Sequence, residues 1–343
     1  MSFLNHFIIA MFIIFTTWII PHVISTRVLE PCSSNKHEKW MAQFGKSYKD
    51  DAEKEKRYQI FKNNVEFIEL FNAAGDKPFN LGINHFADLS NEEFKASLNG
   101  KKKLHNIGIG NVKETSFRYH NVTSLPAAMD WRKRGAVTPI KEQGTCSSCW
   151  AFSSVAATES IHQIRGGELV SLSEQELIDC VKGNSSGCSG GYMEDAFEFI
   201  EKKGGIASEA QYPYKEADRS CKVKKEAKHV AAVIKRYEKV PSNSEKALVK
   251  AVANQPVSVY VDGGGSGFQF YSGGIFTGKC GTDTDHAVTV VGYGVSHDGM
   301  KYWIVKNSWG NDWGEKGYMR LKRDIGSKKG LCGIATNPSY PVA

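Results

Sequence analysis

Apolar residues between Lys36 and about Asn72 recur at three- and four-residue spacing: Trp40, Met41 and Phe44, then Tyr58, Phe61, Val65 and Ile68. That period predicts helix through the segment. Within it Glu53, Arg57, Phe61, Asn64, Ile68 and Asn72 share one helical face, the acid and the arginine one turn apart. A second helical signal runs roughly from Ser148 to Lys203. It opens on Trp150, Ala151, Phe152, Val155 and Ala156, with Ser148 placed to cap it. From Val230 to Gly294 and from Lys301 to Leu321 the character changes, and β-branched and aromatic runs bounded by glycine predict strands. A helix-rich half and a strand-rich half follow the N-terminal helical region, so a cleft between the halves is the expected place for a site.

The first residues carry a different signal. Phe7 to Ile20 is apolar apart from Thr16 and Thr17, and Val23 and Ser25 offer a small-residue cleavage site. The run is short for a membrane span, and residues 1–25 read as a cleaved secretory signal with no stable membrane anchor, despite having only His6 as a charged n-region. The compartment is then oxidising. Asn121-Val122-Thr123 and Asn184-Ser185-Ser186 are glycosylation sequons consistent with that route. Ser339-Tyr340-Pro341-Val342-Ala343 is no ER-retention signal, which leaves the vacuole or the extracellular space.

Length and charge narrow the classes further. A chain of 343 residues with ordinary apolar content buries a full core and favours two domains. The net charge of +7 is spread out, with a pure run only at Lys101–Lys103 and an interrupted one from Lys222 to Lys228. No aromatic residues interleave with these lysines, so they read as solvated surface and not as a nucleic-acid patch.

Eight cysteines occur, and seven lie beyond the first third of the chain, at 146, 149, 180, 188, 221, 280 and 332. An odd number in an oxidising compartment leaves one thiol free. Cys149 is the candidate, inside Gln143-Gly-Thr-Cys-Ser-Ser-Cys-Trp-Ala-Phe152 and at the predicted start of a helix. Unpaired backbone N–H groups and the positive end of the helix dipole favour thiolate there, which makes the sulfur a nucleophile. A zinc site at Cys146-x-x-Cys149 lacks a second pair at finger-like spacing, and a thioredoxin-like motif lacks its preceding strand. Of the histidines at 162, 229, 286 and 297, His286 stands out because it opens the strand-like run His-Ala-Val-Thr-Val-Val-Gly-Tyr-Gly. The six remaining cysteines allow fifteen pairings.

These features together resemble the papain family of cysteine proteases. The face Glu53 to Asn72, followed by Gly82, Asn84, Phe86 and Asp88, matches both motifs of the family's inhibitory propeptide at every position, and His286 with Lys306-Asn307-Ser308-Trp309-Gly310 resembles its histidine and asparagine motifs. Plant enzymes of the senescence-associated kind share Gln255-Pro-Val-Ser-Val259 and Gly263-Gly-Gly265. The resemblance implies an α+β, two-lobed papain-like fold with a helical lobe, an antiparallel barrel-like lobe and an N-terminal helical propeptide. It implies a signal at 1–25, a propeptide at 26–124 and a peptidase domain at 125–343, the polar Asn99–Thr123 linker crossing the cleft and being cut near Leu125. Cys149 would be the nucleophile, His286 its acid–base partner, Asn307 the group orienting the ring, Trp309 the shield of that contact, and Gln143 an oxyanion donor.

The same resemblance pairs Cys146 with Cys188, Cys180 with Cys221 and Cys280 with Cys332. Gly190 and Gly191 would align an extended substrate. Tyr192, Met193, Tyr260 and Asn337, with Thr284 nearby, would line the second pocket, and Asp285 would flank the histidine. No cofactor or metal is implied. Partners would be protein and peptide substrates, the chain's own propeptide and cystatin-like inhibitors, with the enzyme a monomer. Three residues depart from the family pattern: Ser147 for a glycine, Tyr260 for a small aliphatic residue, and Asn337 for a small or charged one. A tyrosine ring at 260 either makes the pocket shallow, favouring valine or leucine over phenylalanine, or turns to the surface.

Overall fold

The computed structural model describes residues 26–98, 117–222 and 230–343. The expected signal segment, the linker from residue 99 to 116 and most of the lysine-rich run after Lys222 lie outside them. The chain forms two compact units, residues 1–66 and 67–343.

In the first unit the helical signal is broken into α1 (Thr26–Phe44) and the start of α2 (Asp51–Ala73). Gly45 causes the break with its φ of +60°, a conformation cheap only for glycine. Asp50 then caps α2 by accepting the Glu53 N–H at 2.8 Å. His37, Trp40 and Phe61 build the core, with Phe61 5.0 Å from the histidine ring and 5.1 Å from the indole. Arg57 meets Glu53 at 2.7 Å.

The second unit continues through β1 (Phe79–Leu81), α3 (Asn91–Leu98) and β2 (Met129–Asp130). It then forms α4 (Cys149–Ile164), α5 (Glu174–Cys180), α6 (Met193–Lys203), β3 (Arg236–Lys239), α7 (Glu245–Val252), β4 (Val257–Val261) and α8 (Ser266–Gln269). The remaining strands are β5 (Tyr271–Phe276), β6 (His286–Val295), β7 (Lys301–Lys306), β8 (Tyr318–Lys322) and β9 (Ser339–Val342). They pair in the order β1-β5-β8-β7-β6-β4-β9-β3, with β2 added beside β6. All the pairings are antiparallel except β5 with β8, which departs from a fully antiparallel lobe. The expected strand-rich half also contains helix α7, capped by Ser244.

β6 is the backbone of the sheet, buried from His286 to Gly294. A bulge shifts its register against β7 between Val290 and Gly292, and a side chain at Gly292 would lie 2.2 Å from the Met129 carbonyl. Against this strand packs α4, buried from Cys149 to Ile161. Ser153 Oγ donates to the Val288 carbonyl at 2.7 Å, and Ser258 Oγ donates to the Ser153 carbonyl at 2.9 Å. Hydroxyls therefore lock the helix carrying the thiol to the strands carrying the imidazole.

The last part of the linker folds back on itself. Residues 117–121 turn, with His120 N–H donating to the Phe117 carbonyl at 3.2 Å and Val122 N–H to the Tyr119 carbonyl at 3.1 Å.

Candidate active site

Cys149 is the first residue of α4, and its thiol is free and buried. The six other cysteines beyond the first third of the chain pair as the resemblance implied: Cys146 with Cys188, Cys180 with Cys221, Cys280 with Cys332. Ser148 occupies the N-cap position without capping, a departure from its expected role. Its hydroxyl instead lies 3.3 Å from the Cys146 carbonyl and 3.0 Å from the Tyr214 hydroxyl, which leaves the helix's first N–H groups around the sulfur unsatisfied by a side chain.

His286 begins β6 and is fully buried. Asn307 Oδ1 lies 2.8 Å from its Nε2 and also accepts the Ser308 backbone N–H at 2.8 Å. Because that oxygen must be an acceptor, Nε2 carries the ring proton and Nδ1 is bare in the neutral ring. Nδ1 is buried with no hydrogen-bond partner. The backbone N–H of the next residue, Ala287, reaches the Cys149 sulfur, so the two groups share one corner of the lobe interface. Burial pushes the thiol up to about 11 and the imidazole down to about 4. Both are therefore neutral at pH 7.

Gln143 is buried; its Nε2 donates to the Cys146 carbonyl at 3.0 Å and its Oε1 accepts from Ser308 Oγ at 2.7 Å. A second amide N–H remains on the same nitrogen. Trp309 stacks on His286 with centroids 4.4 Å apart. Asp285 accepts the Gly263 N–H at 2.8 Å, and burial pushes its carboxyl up to about 6.

The glycine pair is sterically required on one side. A side chain on Gly191 would lie 2.6 Å from the Trp150 indole. Tyr260 does not turn outward: it is 3% exposed, and its hydroxyl accepts the Met193 N–H at 3.1 Å, supplying the cap that Tyr192 does not. Met193 and Thr284 are buried, Tyr192 is half-buried, and Asn337 lies exposed just before β9. Ser147 is buried with its hydroxyl 3.5 Å from the Ser97 carbonyl at the end of α3, so that helix ends against the loop that leads into Cys149.

The propeptide motif docks on the strand-rich lobe. β1 pairs with β5, and Asn72 brackets β1 by bonding both the N–H and the carbonyl of Leu81 at 3.0 and 2.8 Å. Asn84 Nδ2 donates to the Gln269 carbonyl at 2.8 Å. Phe86 and Phe94 meet the Trp309 indole edge-on at 5.6 and 5.4 Å.

Comparison with known proteins fits this geometry. The papain family cysteine protease model matches residues 125–342, and the cathepsin propeptide inhibitor domain matches residues 37–94. The chain belongs to the papain family of cysteine proteases. It is 55% identical, over 90% of both chains, to a senescence-specific cysteine protease of Oryza sativa subsp. indica. It is 54% identical to vignain of Ricinus communis, over 84% of this chain and 81% of that one. The structure of recombinant stem bromelain precursor superposes with a TM-score of 0.83 at 46% identity, covering 91% of this chain and 99% of that one. The proform of the ragweed pollen cysteine protease Amb a 11 gives 0.84 at 42% identity, over 94% and 98%. This papain-family chain is a cysteine endopeptidase made as a zymogen. No helix among the described residues is long and apolar enough to cross a membrane.

Sequence reasoning missed a buried ionic network behind Asn307. Lys141 donates to Glu159 at 3.0 Å and Glu174 at 2.7 Å; Glu159 accepts from Thr138 Oγ1 at 2.5 Å; Lys306 donates to Thr138 Oγ1 at 2.8 Å. Burial pulls the Lys141 ammonium down, but the two carboxylates outweigh it and hold it above its usual value. Burial pushes Glu174 up to about 7 and Lys306 down to about 8. These groups border a cavity of about 20 Å³ that also touches Asn307 and Ser308. The available signal was Glu159, a lone acid in the apolar run from Trp150 to Ile161, which calls for a buried partner.

Proposed function

We propose that this papain-family zymogen hydrolyses peptide bonds with Cys149 as nucleophile and His286 as its acid–base partner. The observation that carries the reading is the Asn307 bond to His286 Nε2, which leaves Nδ1 as the bare ring nitrogen, while the next residue, Ala287, gives its backbone N–H to the Cys149 sulfur. With the cleft opened to solvent, the ring takes the thiol proton through Nδ1. The thiolate adds to the substrate carbonyl, the C–S bond forms as the carbonyl oxygen takes the electron pair, and Gln143 and the Cys149 backbone N–H donate to that oxygen. Collapse of the adduct expels the amine, which leaves with the proton from His286, and water then hydrolyses the thioester. The neutral carboxamide of Asn307 suits a ring whose charge the thiolate already balances.

Substrate lies extended along Gly190 and Gly191, with its second side chain facing Tyr192, Met193, Tyr260, Thr284 and Asn337. Maturation falls near Leu125, separating a 26–124 prosegment from a 125–343 enzyme. Asn121 and Asn184 are both exposed, which supports glycan addition in the secretory pathway, with the vacuole or extracellular space as destination. Incubating the full chain at mildly acidic pH tests the reading: it shortens itself, and Cys149→Ser abolishes the shortening. Shortening that persists in the purified Cys149→Ser chain would refute the assignment.

A further inference from the structure

Residues 95–124 fall between the two family matches. Within them, Phe117–His120 forms a turn that packs on one edge of the peptidase domain. Glu238 in β3 is the hub. Its buried carboxylate accepts the Arg118 backbone N–H at 3.1 Å and Arg118 Nε at 3.3 Å. It also accepts Arg236 Nη2 at 2.7 Å and the hydroxyl of its cross-strand neighbour Tyr340 at 2.7 Å. The aromatic residues flanking Arg118 pack on Tyr340, Phe117 at 6.4 Å and Tyr119 at 5.4 Å between centroids. Tyr119 Oη donates to Gln255 Oε1 at 2.9 Å, and Gln255 is itself fixed by donating to the Pro341 carbonyl at 2.8 Å. Lys250 Nζ, on α7, donates to the His120 carbonyl at 2.7 Å.

We propose that Glu238, Gln255, Lys250 and Tyr340 form a peptide-docking groove for an aromatic–arginine–aromatic turn, and that Phe117–His120 is its occupant. The chemistry is specific. A buried carboxylate reads the guanidinium by charge-assisted hydrogen bonds, the Tyr340 ring supplies a face for both aromatics, and a glutamine and a lysine fix the turn's ends. The groove shares no residue with the catalytic cleft. Arg236 and Tyr340 also satisfy Glu238 from within the sheet, and Gln255 donates to the Pro341 carbonyl, so these two acceptors of the turn have further partners in the domain. The junction near Leu125 is therefore tethered a few residues upstream of the cut. A chain cut earlier, in the polar lysine- and glycine-rich stretch before Phe117, keeps its new N-terminus strapped to the domain.

The test uses the full chain carrying Cys149→Ser, so it stands apart from the catalytic reading. Limited chymotrypsin digestion is followed by mass spectrometry of the bonds after Phe117 and Tyr119. Removing a charge-assisted pair should open the turn roughly tenfold or more, so both bonds should be cut that much faster with Arg118→Ala added than without it. Glu238→Gln, which keeps the hydrogen-bonding shape inside the sheet, should give the same acceleration. Equal cutting in all three chains, whether fast or slow, overturns the proposal.

Discussion

The indole of Trp309 lies over the imidazole of His286, centroids 4.4 Å apart and planes at 23°. The same indole receives the edges of Phe86 and Phe94 from the propeptide. One ring thus faces two ways: inward it stacks on the imidazole that Asn307 bonds, outward it is the docking surface. Phe94 is fully buried, and removing such a ring costs about 3–5 kcal/mol of packing. Because the loss falls on the inhibitory contact, Phe94→Ala should speed self-shortening of the full chain at a given acidic pH. Activity per titrated thiol in the finished enzyme should be unchanged. Activation time courses with active-site titration check both halves.

The covering of the site has a consequence for its ionisation. With the thiol raised to about 11, roughly one molecule in ten thousand carries thiolate at pH 7. The ring cannot supply the missing charge, since at about 4 it is neutral over the same range. Iodoacetamide labelling of Cys149 in the intact chain should therefore climb about tenfold per pH unit between pH 7 and 10. In the shortened enzyme the rate should already be high at mildly acidic pH and change little above it. A flat profile in the intact chain would mean that the ion pair is already formed beneath the propeptide.

Much of this was legible in residue spacing, for reasons that differ from element to element. The run from His286 to Gly294 reads as a strand because a strand buried on both faces needs a continuous apolar stretch, and α4 announces itself by its period. The break at Gly45 and helix α7 were not legible. A positive φ and a Ser244 cap are local choices inside segments whose overall character points elsewhere. Ser148 shows the converse failure. Its type and position predict a cap, yet Tyr214, sixty-six residues away, draws the hydroxyl off. Likewise the linker's polar composition hid a docked turn, because its partner carboxylate, Glu238, is 120 residues distant.

The buried network gives a stability prediction. Glu159 is 1% exposed and accepts Thr138 Oγ1, Lys141 Nζ and the Leu172 N–H. Removing Glu159 leaves Lys141 with Glu174 alone as its acidic partner and takes the acceptor from the Thr138 hydroxyl and the Leu172 N–H, and breaking a buried ion pair typically costs about 3–5 kcal/mol. Glu159→Ala in the Cys149→Ser chain should lower unfolding stability by that order, read as a fall in the urea midpoint. Glu159→Gln should lose less, since its amide oxygen still accepts a hydrogen bond from Lys141 or Thr138.

Tyr260 does two separable things. Its ring is buried beside Met193, and its hydroxyl accepts the first N–H of α6. The ring takes up volume where the second substrate side chain is proposed to sit, so the pocket should prefer valine or leucine to phenylalanine. Pocket contacts of this size discriminate by about 1–3 kcal/mol. Tyr260→Val should therefore shift the phenylalanine-to-leucine ratio of kcat/KM upward by roughly tenfold or more. The variant also removes a helix cap, worth about 0.5–2 kcal/mol, and a general loosening could change kinetics by itself. Tyr260→Phe separates the two effects: it keeps the ring and drops the cap, so Tm should fall while the ratio stays at the parent value. Competing peptides differing only at that position read the ratio directly. A parent enzyme that already cuts faster with phenylalanine in the pocket would show that the ring does not set its depth.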